Sequence, residues 1–228
     1  SQRAPKRALL LGPTYSEYAR ELNLVGGTLE YYNLKEEQDF RLDISDLTDT
    51  LKSDIDLLII CNPNNPTGVL YPKELLLEII QIARESGLLI FADEIYDRLV
   101  MDGKQHISLA SLTEDVPVIT LNGLSKSHCL CGYRCGWMVI SGPRELTEDY
   151  RQGIIQLTSL RLCANTMAQI VIPAALDDME TPASMIRPGG RIYEQREATV
   201  RELEKINGLS FVKNDAAFYV FPKLDVKK

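Results

Sequence analysis

Residues 55–68 read IDLLIICNPNNPTG, an apolar run followed directly by a segment rich in asparagine, proline and glycine. A nearly continuous apolar run is typical of a strand that is buried on both faces, as in a parallel sheet. Asparagine, proline and glycine favour turns, so we expect the chain to turn between Asn62 and Gly68. This stretch therefore predicts a strand inside a parallel sheet, with a polar turn at its carboxyl end.

Strands and helices alternate on both sides of this stretch. Upstream, the pattern predicts strands at residues 8–11 and 29–34 and helices at residues 16–24 and 44–51, with Asp43 as the N-cap of the second helix. Downstream, Pro72 opens a helix and Gly87 closes it. Beyond that helix we predict strands at 88–92, 118–121 and 136–140, helical sequence from 143 to 176, a helix at 191–206, and a hairpin that pairs 211–212 with 218–221. The alternation predicts an α/β fold with a mostly parallel sheet flanked by helices.

Proline, glycine and serine interrupt the helical pattern between Thr181 and Pro188. Such residues are common at domain boundaries, where the chain leaves regular structure. We therefore expect a large domain at residues 1–182 and part of a smaller α+β domain at residues 183–228.

The composition excludes several classes of protein. The 228 residues include 32 Asp and Glu against 25 Lys and Arg, and no basic run stands out, so we expect no nucleic-acid partner. Charged residues break every apolar stretch before it reaches the length of a membrane span, so we expect no membrane partner either. At 45% hydrophobic residues, the chain has too much apolar content for a disordered protein.

The five cysteines indicate a reducing compartment. The sequence begins with polar residues and shows no apolar stretch typical of a secretory signal, so we expect free thiols and a cytoplasmic location. Cys129, Cys131 and Cys135 form a C-x-C-x3-C cluster. This spacing is not a standard zinc pair, and we expect no metal site there.

Four polar segments follow the predicted strands: NPNNPTG at 62–68, ADEIY at 92–96, NGLSK at 122–126 and GYR at 132–134. Each is weak evidence alone, because such turns, helix-capping acids and single lysines are common. In a mostly parallel sheet, ligands bind at the carboxyl ends of the strands. In this order and placement, the four segments resemble the class I/II aminotransferases, which are pyridoxal-phosphate enzymes of the aspartate aminotransferase fold.

The resemblance implies roles for three residues around the cofactor ring. Asp93 matches the carboxylate that keeps the ring nitrogen protonated by ion pairing, although a helix-capping role is the alternative. Asn65 and Tyr96 match the hydrogen-bond donors to the 3′ oxygen of the ring. Asn65 also matches a residue near the substrate carboxylate.

Further residues match the family's cofactor contacts. Lys126 matches the lysine that binds the cofactor covalently and then moves the proton between the substrate α-carbon and the cofactor. Arg134 matches the phosphate-binding arginine. Ser125 is a second candidate for the phosphate, although the family often carries that hydroxyl where this chain has Gly123. Tyr15 matches the aromatic residue that stacks on the ring, with a core position as the alternative.

The segments differ in the substrate that they suggest. A resemblance to bacterial alanine aminotransferases rests on LSK at 124–126, GWMV at 136–139, LRLCAN at 160–165 and PGGRIYEQR at 188–196. A resemblance to threonine-phosphate decarboxylases and histidinol-phosphate aminotransferases rests on PTYSEY at 13–18. We expect a homodimer that transfers an amino group from an amino acid, alanine being favoured, to a 2-oxo acid such as 2-oxoglutarate or pyruvate. A decarboxylase of a phosphorylated amino acid is the alternative.

The chain also departs from the family pattern. The family's Gly-rich phosphate turn has no counterpart before Ala8, and the only cations after Phe221 are Lys223, Lys227 and Lys228, where the family has a carboxylate-binding arginine. A catalytically incompetent fragment that serves as a scaffold is therefore a further alternative. A dinucleotide-binding protein is excluded, because no G-x-G-x-x-G turn follows the first strand.

Overall fold

The computed structural model describes residues 7–51 and 54–225. The polar start of the chain, Lys227 and Lys228 lie outside the described residues. The strands are β1 (Arg7–Gly12), β2 (Thr28–Asn33), β3 (Leu57–Cys61), β4 (Leu89–Asp93), β5 (Val118–Gly123), β6 (Gly136–Ser141), β7 (Leu209–Ser210) and β8 (Lys223–Leu224). The helices are α1 (Glu17–Leu24), α2 (Ile44–Thr50), α3 (Lys73–Ser86), α4 (Leu124–Ser127), α5 (Arg144–Arg161), α6 (Thr166–Asp177), α7 (Glu180–Ile186) and α8 (Arg191–Leu203).

The first six strands form one sheet in the order β2-β1-β3-β4-β5-β6. Strands β1 to β5 pair in parallel, and β6 pairs antiparallel to β5. The predicted α/β fold with a mostly parallel sheet is therefore confirmed. The deciding stretch forms β3, which lies between β1 and β4 and is buried at all five positions.

Helices cover both faces of the sheet. Leu58 and Ile60 of β3 pack in one apolar cluster with α3, while Leu57 and Ile59 pack in another with α1. Successive side chains of a strand point to opposite faces, so a strand between two helical layers needs apolar residues at every position. This requirement explains the unbroken apolar run in β3.

Local signals predicted the ends of two helices correctly. The carboxylate of Asp43 accepts hydrogen bonds from the backbone N–H groups of Ser45 and Asp46 at the start of α2. Helix α3 begins directly after Pro72, and Gly87 ends it in the left-handed conformation at φ +65°. Glycine adopts this conformation without a steric penalty from Cβ.

The helical sequence predicted from 143 to 176 is broken into two helices. Helix α5 ends at Arg161, Leu162 takes φ +68°, and α6 begins at Thr166. The side chain of Asn165 caps α6 by accepting a hydrogen bond from the N–H of Ala168. Helix α7 occupies much of the region where the sequence predicts a domain boundary. The division at residues 182 and 183 stays a prediction.

The predicted C-terminal hairpin is wrong in its strands. Leu209 and Ser210 pair instead with Leu224 and Lys223. The intervening chain turns toward the main sheet, where Ala216 forms an antiparallel bridge with Val100. Its backbone N–H groups donate to Gly68, after β3, and to Leu99, after β4. Among residues 7–51 and 54–225, no helix is long and apolar enough to cross a membrane.

Candidate active site

A cleft of about 340 Å³ opens at the carboxyl ends of the parallel strands. The seven site residues predicted from the sequence all line it, namely Tyr15, Asn65, Asp93, Tyr96, Ser125, Lys126 and Arg134. They come from separate parts of the chain. They meet because strands that run in parallel bring their carboxyl ends to one edge of the sheet. The roles assigned to these residues stay predictions, but the structure places all of them on one cleft.

Asp93 ends β4 and lies on the wall of the cleft. One carboxylate oxygen accepts a hydrogen bond of 3.1 Å from the N–H of Ile95, and the other accepts one of 2.5 Å from the hydroxyl of Tyr18. Burial raises the pKa of Asp93, against the lowering effect of these hydrogen bonds and of the nearby Lys126 ammonium. A half-buried carboxylate of this kind favours a positively charged partner in the cleft. The local bond to Ile95 uses only one of the two oxygens, so the capping role does not account for the whole side chain.

Tyr18 is a cleft residue that the sequence reasoning missed. It lies in α1, its hydroxyl donates to Asp93, and its ring meets that of Tyr15 edge-on with 5.5 Å between centroids. Burial, followed by the proximity of Cys61 and Asp93, raises the pKa of the Tyr18 phenol. The phenol therefore stays protonated and able to donate. The three-residue spacing between Tyr15 and Tyr18, at the start of a helix that follows a strand, was the available signal.

Lys126 lies in α4, a single turn of helix directly after β5. Its Nζ lies 5.9 Å from the ring centroid of Tyr96 and 5.8 Å from that of Phe218. Tyr96 is buried, and its hydroxyl lies 2.6 Å from the hydroxyl of Tyr219. The sequence reasoning assigned Phe218 and Tyr219 to a hairpin strand and missed both as neighbours of the lysine.

Arg134 lines the same cleft as an exposed residue in the left-handed conformation at φ +54°. Its guanidinium donates one bond of 2.9 Å to the carbonyl oxygen of Cys131. A guanidinium has five N–H donors in a planar fork, so donors remain for an anion such as a phosphate.

Gly123 cannot supply the hydroxyl that the family often carries three residues before its lysine. A Cβ at this position would lie 2.7 Å from the carbonyl oxygen of Cys135 and 3.0 Å from the Cα of Gly136. The backbone of β6 therefore occupies the space that a serine would need. Ser125 lies on the cleft and remains the nearby hydroxyl for a phosphate.

The asparagines of the turn after β3 divide into two groups. Asn62 accepts a hydrogen bond from the N–H of Tyr71, and Asn64 donates to the carbonyl oxygen of Pro13, both within the buried turn. Asn64 also donates to the hydroxyl of Thr67, so these two side chains hold the turn in place. Asn65 lines the cleft.

The cysteine cluster is split by the fold. Cys135 is buried, whereas Cys129 and Cys131 are exposed. Within the part of the chain that the structure describes, no group of three or more His, Cys, Asp or Glu side chains could hold a metal ion.

The fold and the cleft define an α/β protein with a lysine, a carboxylate and a tyrosine at the carboxyl edge of a parallel sheet. Residues 3–228 match the family described as aminotransferase class I and II. The chain belongs to this family.

Two curated relatives show which aminotransferases this chain is similar to. The chain is 42% identical to the glutamate-pyruvate aminotransferase AlaA of Escherichia coli (strain K12), over 96% of this chain and 54% of that protein. It is 41% identical to the alanine aminotransferase of Mycobacterium tuberculosis (strain ATCC 25618 / H37Rv), over 96% of this chain and 51% of that protein. The chain thus spans about half the length of the curated relatives it matches.

Solved structures agree with the sequence comparison. An aminotransferase from Escherichia coli has a TM-score of 0.94 and 41% identity, covering 99% of this chain and 56% of that chain. The alanine aminotransferase from Pyrococcus furiosus has a TM-score of 0.91 and 37% identity, covering 98% of this chain and 56% of that chain. The described fold is therefore that of the family.

Proposed function

We propose that this chain is part of a pyridoxal-phosphate-dependent aminotransferase, which moves an amino group between an amino acid and a 2-oxo acid. The observation that carries this proposal is the convergence of Asp93, Tyr96 and Lys126 on one cleft. Membership of the aminotransferase class I and II family supports it.

The residues of the cleft fit pyridoxal phosphate. Asp93 offers a half-buried carboxylate for a protonated ring nitrogen, and Tyr96 offers a hydroxyl for the ring oxygen. Arg134 keeps N–H donors for the phosphate, and the ring of Tyr15 is exposed enough to stack on a ligand. When bound, this cofactor supplies an electron sink that accepts the electron pair of the substrate Cα–H bond.

The chain itself supplies the binding and proton-transfer groups. The Lys126 amine would hold the cofactor covalently, and as a free amine it would take the proton from the substrate α-carbon. Asp93 would keep the ring nitrogen protonated by ion pairing, and the Tyr18 hydroxyl, which donates to its carboxylate, would orient it. The rings of Tyr96 and Phe218 flank the amine, with their centroids 5.9 and 5.8 Å from its nitrogen.

The names of the relatives support alanine as the amino donor. The two relatives quoted are a glutamate-pyruvate aminotransferase and an alanine aminotransferase. We therefore propose transfer between alanine and a 2-oxo acid such as 2-oxoglutarate, in the cytoplasm, with residues 1–182 in the cofactor-binding domain and 183–228 in the small domain.

A homodimer is proposed as the assembly. Large apolar side chains on α5 and α6 are exposed, including Leu157, Leu160, Met167 and Ile170. Exposed apolar surface of this kind is typical of an interface. A partner subunit would cover it, and size-exclusion chromatography with light scattering measures the assembly directly.

The test of the function is the position of a covalent adduct. The purified protein is mixed with pyridoxal phosphate, reduced with borohydride and digested, and the adduct is mapped by mass spectrometry. We expect the adduct on Lys126, none in Lys126→Ala, and normal labelling in the control Lys73→Ala, since Lys73 is an exposed residue of α3. An adduct spread over surface lysines, or none at all, would contradict the proposal and favour the scaffold alternative.

The substrate is tested on the unreduced complex. Addition of L-alanine should convert the visible band of the cofactor to that of its amine form, and 2-oxoglutarate should restore it. Release of carbon dioxide from a phosphorylated amino acid, without any 2-oxo acid, would instead identify the decarboxylase.

A further inference from the structure

A second tyrosine, Tyr219, contacts Tyr96, the predicted hydrogen-bond donor to the ring oxygen of the cofactor. The hydroxyls of Tyr96 and Tyr219 lie 2.6 Å apart, and their rings meet edge-on at 79° with 5.6 Å between centroids. Tyr96 is buried and Tyr219 is half-buried on the wall of the cleft. The contact is therefore a short hydrogen bond between two phenols at the edge of the site.

Backbone contacts with two site elements position Tyr219. The N–H groups of Asp215 and Ala216 both donate to the carbonyl oxygen of Gly68, at the end of the turn that carries Asn65. The N–H of Ala217 donates to the carbonyl oxygen of Leu99, three residues after Tyr96. The segment that carries Tyr219 is thus attached to the two parts of the chain that the resemblance places around the ring oxygen.

Close packing leaves this segment little freedom to shift. Gly68 takes φ +70°, and a Cβ there would lie only 2.4 Å from the Cβ of Asn214. The guanidinium of Arg196, which is almost wholly buried, donates to the carbonyl oxygen of Asn214. These contacts hold the backbone that leads into Tyr219.

The number of protons determines the direction of the bond. Each phenol has a single proton to donate and lone pairs to accept with. If Tyr96 gives its proton to a ligand oxygen, the bond between the two tyrosines must use the proton of Tyr219. Tyr219 then donates to Tyr96, and Tyr96 donates to the ligand. This is the one arrangement in which both phenol protons form hydrogen bonds.

We propose that Tyr219 is a positioning residue that acts through Tyr96, donating to its hydroxyl so that Tyr96 donates more strongly to the ring oxygen of the cofactor. This inference rests on the proposed function. Hydrogen bonds in a chain polarise one another, so the second bond is stronger than it would be alone. A better hydrogen-bonded oxygen holds more negative charge, which favours the deprotonated form of the bound cofactor.

The test is a pH titration of the visible absorption of the protein loaded with pyridoxal phosphate. Tyr219→Phe keeps the ring and removes the hydroxyl, and we expect the midpoint to rise by roughly 0.2 to 0.6 pH unit. Tyr96→Phe removes the direct bond and should raise the midpoint by roughly 1 to 2 units. Tyr150→Phe is the matched control, because Tyr150 packs against Phe91 away from the cleft and should leave the midpoint unchanged.

The double variant separates action through Tyr96 from a general effect on the site. When Tyr96 is already phenylalanine, adding Tyr219→Phe should cause no further shift. An unchanged midpoint in Tyr219→Phe alone, or an equal additional shift in the double variant, would overturn the inference. Those results leave the Lys126 adduct in place and are thus distinct from failure of the proposed function, which would show as a wild-type protein without the adduct.

Discussion

Replacing Glu94 with glutamine should remove much of the pH dependence of folding stability near neutral pH. Glu94 follows Asp93 in sequence and is almost fully buried. One of its carboxyl oxygens accepts hydrogen bonds from the N–H of Leu109 and the hydroxyl of Ser108, at 2.9 and 3.1 Å. Burial is the largest effect on this carboxyl, and it raises the pKa of Glu94 from 4.5 to about 7.

The sign of the effect follows from where the proton is bound. Below pH 4.5 both folded and unfolded states hold the proton, and Glu94 costs no stability. Between pH 4.5 and 7 the unfolded state loses its proton while the folded state keeps it, so stability falls as the pH rises. A difference of about 2.5 pKa units corresponds to about 3 kcal/mol in full, of which about 2.5 kcal/mol should be lost between pH 5 and pH 8.

Glu94→Gln is a suitable variant, because a glutamine oxygen can accept the same two hydrogen bonds. The assay is urea unfolding at pH 5, 6, 7 and 8, followed by the fluorescence of Trp137, the single tryptophan of the chain. We expect the variant to be close to the wild type at pH 5 and to gain about 2.5 kcal/mol relative to it by pH 8. The control is Glu78→Gln, a change of an exposed residue on α3 that should leave the pH profile parallel to that of the wild type.

A neighbouring histidine also favours the protonated form of Glu94. Burial lowers the pKa of His106, whose Nε2 lies 3.9 Å from the second carboxyl oxygen of Glu94. A neutral imidazole beside a protonated carboxyl avoids burying the charges of these two groups. If the stabilities of the wild type and Glu94→Gln differ by the same amount at every pH, Glu94 is ionised throughout and the reasoning fails.

Three other predictions concern single positions. Asp93→Ala should retain some pyridoxal phosphate, seen as the adduct on Lys126, but lose nearly all transamination; near-normal turnover would contradict its role. Gly123→Ser should destabilise the fold by about 1 to 3 kcal/mol in urea, because its Cβ would meet the carbonyl oxygen of Cys135 at 2.7 Å; unchanged stability would contradict the clash. Asp102→Ala should cost about 2 kcal/mol, since it removes the paired 2.7 Å hydrogen bonds of the buried Arg196 guanidinium; a loss below about 0.5 kcal/mol would show the pair to be unimportant.

Helix and strand patterns identified the structural framework because their causes are local. The apolar run of β3 records burial on both faces, and the ends of α3 depend on Pro72 and Gly87 alone. The break between α5 and α6 was missed, although Asn165 is a typical N-cap residue and caps α6. The turn itself occurs at Leu162, which takes φ +68°. No local signal marks that residue as a turn.

The site shows the same division between local and distant causes. Asp93 and Lys126 were identified from short motifs that follow strands, and the sheet brings them to one cleft because β4 and β5 are parallel neighbours. Tyr18 and Tyr219 were not identified as site residues. The hydroxyl of Tyr18 meets a carboxylate 75 positions away, and that of Tyr219 meets a phenol 123 positions away.

The amino-acid sequence by itself determined the α/β class, the buried central strand and the residues that resemble a pyridoxal-phosphate site. Those features depend on periodicity, turn chemistry and motif order, each of which is confined to a few neighbouring residues. Only the tertiary structure decided that 215–217 bonds to Gly68 and Leu99 instead of forming a hairpin, and that the hydroxyl of Tyr219 meets that of Tyr96. The physical reason is that backbone N–H groups and phenols can form a hydrogen bond with any well-placed partner. Which partner they meet depends on how distant segments pack together.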